Sequence, residues 1–291
     1  MKKQQTTGFF LVILSAVVFG LNPLLAKTIY LSGSNSMTLT VHRMLFGSIG
    51  LLIIHKMTGG GSLKVSWDEM KKLLLCALGF GLTPVLLFSS YNYLSSGMAT
   101  TIHFVYPVLV LVGCVLFCHA KLTRVKLTCS VLCMAGIVCF YTPGGSVSLF
   151  GMLIAFCSGA TYAFYIIYLS MSGLQHMPAY KLGFWMSFLS AVGVAVVALF
   201  TKQLTFQLTA GGWGLTVVFA LLAGCVASMA FQVGAKYVGP QNASLLSTFE
   251  PLTSVIVGVL VYNEALTARS VGGIVCILLS VVLLTLLGKS E

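Results

Sequence analysis

Residues 98–123, MATTIHFVYPVLVLVGCVLFCHAKLT, and residues 242–267, NASLLSTFEPLTSVIVGVLVYNEALT, are two versions of one pattern set 144 positions apart. Ala99 meets Ala243, Pro107 meets Pro251, Leu122 meets Leu266 and Thr123 meets Thr267, with apolar residues between. Just upstream Tyr93 meets Tyr237, and at an offset of 143 Ser15, Phe19 and Asn22 meet Ser158, Tyr162 and Tyr165. A helix crosses ~30 Å of hydrocarbon in about 20 residues, and stretches this apolar recur along the whole chain. The pattern is that of a duplicated helical membrane unit.

Composition supports the same reading. Of 291 residues, 58% are hydrophobic and 7% charged, whereas an ordinary soluble domain is about a quarter charged. In water, 16 Lys+Arg and 5 Asp+Glu would leave large apolar patches uncovered. With a mean hydropathy of +1.02, a soluble enzyme, a disordered chain and a collagen-like fibre are excluded. The net charge of +11 lies in short connectors between apolar runs, where retention of cations on the cytoplasmic side places it, so no nucleic-acid partner is expected. The nine cysteines lie mostly inside apolar runs without CxxC spacing and read as small hydrophobes. Cys114, Cys118 and His119 share a helix end, but no second ligand cluster accompanies them, so neither metal nor cofactor is expected.

The spans fall near 8–31, 37–57, 71–95, 97–118, 122–141, 149–171, 179–200, 212–237, 240–262 and 267–287. The expectation is an all-α integral membrane protein of ten transmembrane helices, arranged as one repeat over 1–145 and a second over 146–291. Five spans per repeat is odd, so the second repeat enters from the opposite face and the repeat is inverted. The first span is too long for a signal peptide, lacks a small-residue cleavage site and is expected to stay attached. With the N-terminus in the cytoplasm, the inside connectors of the first half receive Lys2, Lys3, Lys56, Lys64, Lys71, Lys72, Lys121, Arg124 and Lys126 and the outside connectors almost no cations, while in the second half the bias is weak, Lys181, Lys236 and Lys289 inside against Lys202 and Arg269 outside. An even span count returns the C-terminus to the cytoplasm.

On the two quoted segments, on Arg43 in the second span and on Glu250-Pro251 in the ninth, the chain resembles the EamA-type carriers of the drug/metabolite transporter superfamily. That resemblance implies two inverted five-helix repeats and transport, often export, of small metabolites such as amino acids. One position departs from the pattern: the acidic residue before the Leu-Thr pair is Glu264 in the second half, but Ala120 in the first.

Ionisable groups within hydrocarbon are costly and mark candidate sites. Glu250 sits near the middle of the ninth span, and Ser247, Glu250 and Ser254 share one helical face. A carboxyl group there suits proton exchange or a substrate ammonium; the bland alternative is a fixed ion pair with Arg43 or Lys236. Arg43, beside His42, suits a substrate carboxylate held bidentately, or else caps carbonyls or snorkels outward. His103 and Tyr106 occupy the positions matching Ser247 and Glu250. Asn22, Tyr162 and Tyr165 add polar and aromatic groups on the first and sixth spans, and Ser228 and Gln232 form a stripe on the eighth. Each alone reads as interhelical glue; together they read as a lined cavity. Tyr91 and Asn92 in the third span are weaker candidates. Pro23, Pro84, Pro107 and Pro251 lie inside spans and bend them, while Gly20, Gly47, Gly50, Gly79, Gly81, Gly159 and Gly224 read as points of close helix approach.

No nucleotide-binding loop, HExxH or GxSxG is present. An intramembrane enzyme is therefore not expected. The reading is a secondary carrier of a small molecule in the cell membrane, driven by a gradient, with protons the expected coupling ion through Glu250. Multidrug efflux of lipophilic cations and a non-transporting receptor or subunit stand as alternatives.

Overall fold

The structure, a computed structural model, describes residues 2–59, 61–117, 123–140, 147–238, 243 and 246–287; for Gln232 and Lys236 it describes the backbone alone. The described residues form helices joined by short connectors, without strands. In chain order they are α1 (Lys2–Gly20), α2 (Asn22–Tyr30), α3 (Ser36–Met57), α4 (Trp67–Ser90), α5 (Ser96–His103), α6 (Tyr106–Phe117) and α7 (Arg124–Phe140). There follow α8 (Leu149–Ser172), α9 (Ala179–Phe200), α10 (Ala210–Leu221), α11 (Ser228–Val238), α12 (Phe249–Tyr262) and α13 (Ala268–Leu287). Among the described residues seven helical stretches are long and apolar enough to cross a membrane, and three shorter apolar helices accompany them.

Helix starts follow the capping chemistry of the connectors. Asn35, Ser66, Ser95, Ser148 and Thr209 each accept a backbone N–H of the first turn that follows. At Ser66 the cap is reciprocal: the Glu69 N–H donates to its hydroxyl, and Glu69 accepts from the Ser66 N–H at 2.7 Å. This box moves the start of α4 to Trp67, four residues ahead of the expected span, and α4 stops at Ser90. Tyr91 and Asn92 therefore lie in the turn after the third span, not within it.

The bends expected at Pro23, Pro107 and Pro251 are interruptions of the helix. Proline lacks the N–H that would pair with the carbonyl four residues earlier. At Pro23 the first span divides into α1 and α2 around Leu21. At Pro107 the His103 carbonyl loses its helical partner, and the fourth span divides into α5 and α6 around Phe104 and Val105. At Pro251 the Ser247 carbonyl is taken instead by the Glu250 N–H at 3.0 Å, with a turn at residues 247–248 before α12. The latter two interruptions fall at positions paired by the 144-residue offset. At Pro84, by contrast, α4 continues unbroken. Between α10 and α11 the chain winds through a π-helical segment, Leu222–Ala227.

The principal packings are α3 on α9, α7 on α13, α4 on α8, α1 on α11, α4 on α9 and α5 on α12. At one end of the bundle Ala26, Ile29, Leu39, Phe88, Tyr91, Leu94 and Phe219 pack into a solid apolar core. Outward-facing Ile53, Leu78, Val138, Leu199 and Leu260 are more than half exposed, as suits helices surrounded by hydrocarbon.

Candidate substrate-binding cavity

A cavity of about 510 Å³ lies between the helices. Its inner wall carries Asn22, Arg43, His103, Tyr106, Tyr162, Tyr165, Ser247 and Glu250 together, and it extends along α8 and α9 to a rim at Met177, Ala179 and Tyr180. The volume is that of an ordinary small-molecule site. The side chain of Gln232 lies outside the described residues.

Arg43 and Glu250 face this space from α3 and from the first turn of α12. They act on each other electrostatically, yet the ion pairs within 4.0 Å among the described side chains are Lys27–Glu264 and Lys71–Asp68. A fixed Arg43–Glu250 pair is therefore not what this structure holds, and pairing of Glu250 with Lys236 lies outside the described side chains. The Arg43 guanidinium does not snorkel. It lies beside the touching rings of Phe88 and Phe219, 5.6 Å from the centre of the first and 5.5 Å from that of the second, contacts that steady a desolvated cation while leaving its N–H fork without a hydrogen-bond partner among the described residues. His42 faces elsewhere. It is buried against Trp213, Phe206 and Phe46, with neither ring nitrogen hydrogen-bonded among the described residues.

The aromatic part of the wall is a connected set. Tyr106 and Tyr162 meet edge-on at 4.7 Å, His103 stands 5.8 and 5.7 Å from them, and Tyr165 stacks obliquely on Tyr162 and Phe80. Phe80, Thr83, Pro84, Leu87 and Phe88 line the cavity from α4. Of these only Pro84 stands out from the sequence as a candidate; the spacing of three and four is the signal for a single face turned to the interior.

At the end opposite the rim the bundle is latched. The Lys27 ammonium donates to Glu264 Oε1 at 2.8 Å, and the same carboxylate accepts the Ser96 N–H at 2.9 Å and its hydroxyl at 2.8 Å. The Tyr262 hydroxyl donates to the Leu24 carbonyl at 3.0 Å, and Lys27 lies over the Tyr262 ring. Burial works against the Glu264 carboxylate, but the Lys27 ammonium and the Ser96 donors outweigh it and hold the group below the usual carboxylate range.

Residues 6–142 and 149–286 each match the EamA-like transporter family. The chain belongs to that family. It is 25% identical to the uncharacterized inner membrane transporter YicL of Salmonella typhimurium over 96% of this chain and 95% of the relative. It is 26% identical to the uncharacterized transporter YvbV of Bacillus subtilis over 99% and 94%. One protein of known crystal structure shares the fold with a TM-score of 0.66 at 14% identity, over 98% of each chain. Membership of the family makes the chain a membrane transporter.

Proposed function

We propose that this protein is a secondary active carrier that moves a small zwitterionic metabolite of amino-acid type across the cytoplasmic membrane by alternating access, in the direction of export. The observation that carries the reading is that Arg43 and Glu250 line one cavity without an ion pair between them. A guanidinium with an open fork suits a carboxylate, a carboxylate in the same space suits an ammonium, and aromatic rings on the same wall suit an apolar body.

The packing supports two inverted repeats of five helices over 1–145 and 146–291. In a two-fold arrangement the second span meets the seventh, the fourth meets the ninth, the fifth meets the tenth, and the third–sixth contact is mirrored by the first–eighth. The pairs α3 with α9, α5 with α12, α7 with α13, α4 with α8 and α1 with α11 follow that scheme. The starts of α6 and α12 at the cavity match the interrupted helices that such carriers place around their sites.

In this reading the cation-bearing connectors of the first half face the cytoplasm, and with them the Met177–Tyr180 rim and both termini. The cavity is then open inward and latched outward. Protons are the coupling ion of this reading, and Glu250 the group that exchanges them. Lipophilic-cation efflux draws support from Tyr106, Tyr162, Tyr165 and Glu250, but Arg43 at the same wall opposes a purely cationic solute.

Reconstituted protein tests the reading. An amino acid should raise the melting temperature by mass action and exchange across the vesicle wall, and Glu250→Gln should lose uptake driven by a pH gradient. Transport and pH dependence unchanged in that variant would remove Glu250 from the mechanism.

A further inference from the structure

Ser158 lies in α8 directly behind His103 and is fully buried. Its hydroxyl has one proton, and the Ala155 carbonyl 2.6 Å away, which has none to give, receives it. The second contact of Ser158 Oγ, at 2.9 Å to His103 Nδ1, therefore requires the hydrogen to sit on Nδ1. In the neutral ring that leaves Nε2 as a bare acceptor, and His103 lines the cavity.

The backbone fixes the ring from behind. Pro107 leaves the His103 carbonyl without a helical donor, and Gly159 lies against that oxygen. A Cβ at Gly159 would stand 2.8 Å from it, so only glycine lets α8 approach closely enough for Ser158 to reach the imidazole. The rings of Tyr106 and Tyr162 hold its other faces.

We propose that Ser158 is a positioning residue that keeps His103 in its Nδ1–H form, so that His103 Nε2 selects solutes carrying an uncharged hydroxyl or amide N–H donor on their apolar body. The inference rests on the carrier reading: Arg43 and Glu250 take the charged ends, and the neutral acceptor reads what lies between. A solute without the donor would fill the cavity and leave Nε2 desolvated and unpaired, which costs about tenfold in affinity.

Two measurements test it. In protein labelled with 15N-histidine, with the His103 signals identified by their loss in His103→Gln, the wild type should show a protonated Nδ1 and an unprotonated Nε2. Ser158→Ala should release that preference into a mixture of tautomers. In melting-shift titrations the wild type should favour threonine over valine and tyrosine over phenylalanine by about tenfold. Ser158→Ala should narrow that ratio, and His103→Phe should abolish it. A hydrogen on Nε2 in the wild type overturns the assignment whether or not any solute binds. Equal ratios in wild type and His103→Phe overturn the selector role and leave the carrier reading standing; a wild type that binds no amino acid overturns both. If His103→Phe does not fold, the Ser158→Ala spectrum and ratio decide.

Discussion

The Lys27 ammonium and the Glu264 carboxylate meet at 2.8 Å across 237 residues of sequence, and Ser96 completes their contact. One carboxylate thereby ties the end of the first span and the start of the fourth to the end of the ninth. For a carrier, such a tie has to open each turnover. Glu264→Gln keeps the shape and removes the charge, so the closed end should loosen by about 1–3 kcal/mol, the range for a hydrogen-bonded charge of this burial. A cysteine at Asn22 in an otherwise cysteine-free background should then react faster with an impermeant thiol reagent applied outside. An unchanged rate would deny the latch its role.

The same contact predicts a pH dependence with a definite sign. Glu264 titrates below the usual carboxylate range in the latched state, so that state binds fewer protons than the open one. Its contribution is fully present above the ordinary carboxylate pKa of about 4.3 and is lost as pH falls through the depressed value. Labelling at Asn22→Cys, divided by that of a free thiol at the same pH to remove the loss of thiolate, should therefore be flat from neutral pH down to about 5 and rise below it, and in Glu264→Gln that rise should disappear.

Gly258 offers a second route to the latch. A Cβ there would stand only 2.2 Å from Glu264 Oε2, and Asn263, with φ of 52°, turns the chain back so that the Glu264 N–H reaches the Gly258 carbonyl at 3.0 Å. Gly258→Ala should displace the carboxylate and reproduce the labelling phenotype of Glu264→Gln with the charge intact. Wild-type labelling in Gly258→Ala would mean that the carboxylate tolerates a move, and that the tie is looser than its hydrogen bonds suggest.

The helical spans and the polar set were legible because both depend on local pattern. Apolar length marks a span, and Asn22, Arg43, His103, Tyr106, Tyr162, Tyr165, Ser247 and Glu250 stand out as polar groups at membrane depth. The interruptions at Pro107 and Pro251 could be foreseen as bends, but their extent depends on which donor replaces the lost one, and at Ser247 that donor is the Glu250 N–H. Contacts between distant elements were not legible. Nothing local links Lys27 to Glu264, or Arg43 to the rings of Phe88 and Phe219. Likewise His42 and Arg43 read as neighbours, but adjacent residues on a helix point about 100° apart, so only Arg43 reaches the cavity. The departure at Ala120 lies outside the described residues.

Arg43 should be intolerant of its usual conservative replacement. Lysine keeps the charge but loses the planar fork and the flat surface set against the Phe88 and Phe219 rings. Arg43→Lys should weaken solute binding about tenfold or more, read as a shift of the titration midpoint, with the melting temperature of the solute-free protein nearly unchanged. Phe88→Leu should weaken binding in the same direction by a smaller factor. Equal affinity in Arg43→Lys would show that Arg43 acts as a point charge alone.

Two glycines of the same apparent kind should respond oppositely to alanine. At Gly20 a Cβ would stand 2.4 Å from Thr253 Cβ and 2.7 Å from the Glu250 carbonyl oxygen. There α1 meets α12 so closely that the Ser254 hydroxyl donates to the Gly20 carbonyl at 2.9 Å. Backbone cannot step aside cheaply, so Gly20→Ala should cost about 1–3 kcal/mol by overpacking. At Gly47 the nearest atoms to a Cβ are Gly224 Cα at 3.7 Å and the Ala220 carbonyl oxygen at 3.9 Å, which is ordinary van der Waals contact. Alanine there also reduces the freedom of the unfolded chain, a gain of about 0.4–1 kcal/mol. Melting of the solute-free protein in detergent should thus fall for Gly20→Ala and hold or rise for Gly47→Ala. A fall of equal size in both would mean that α3 and the π-helical segment sit as near one another as α1 and α12 do.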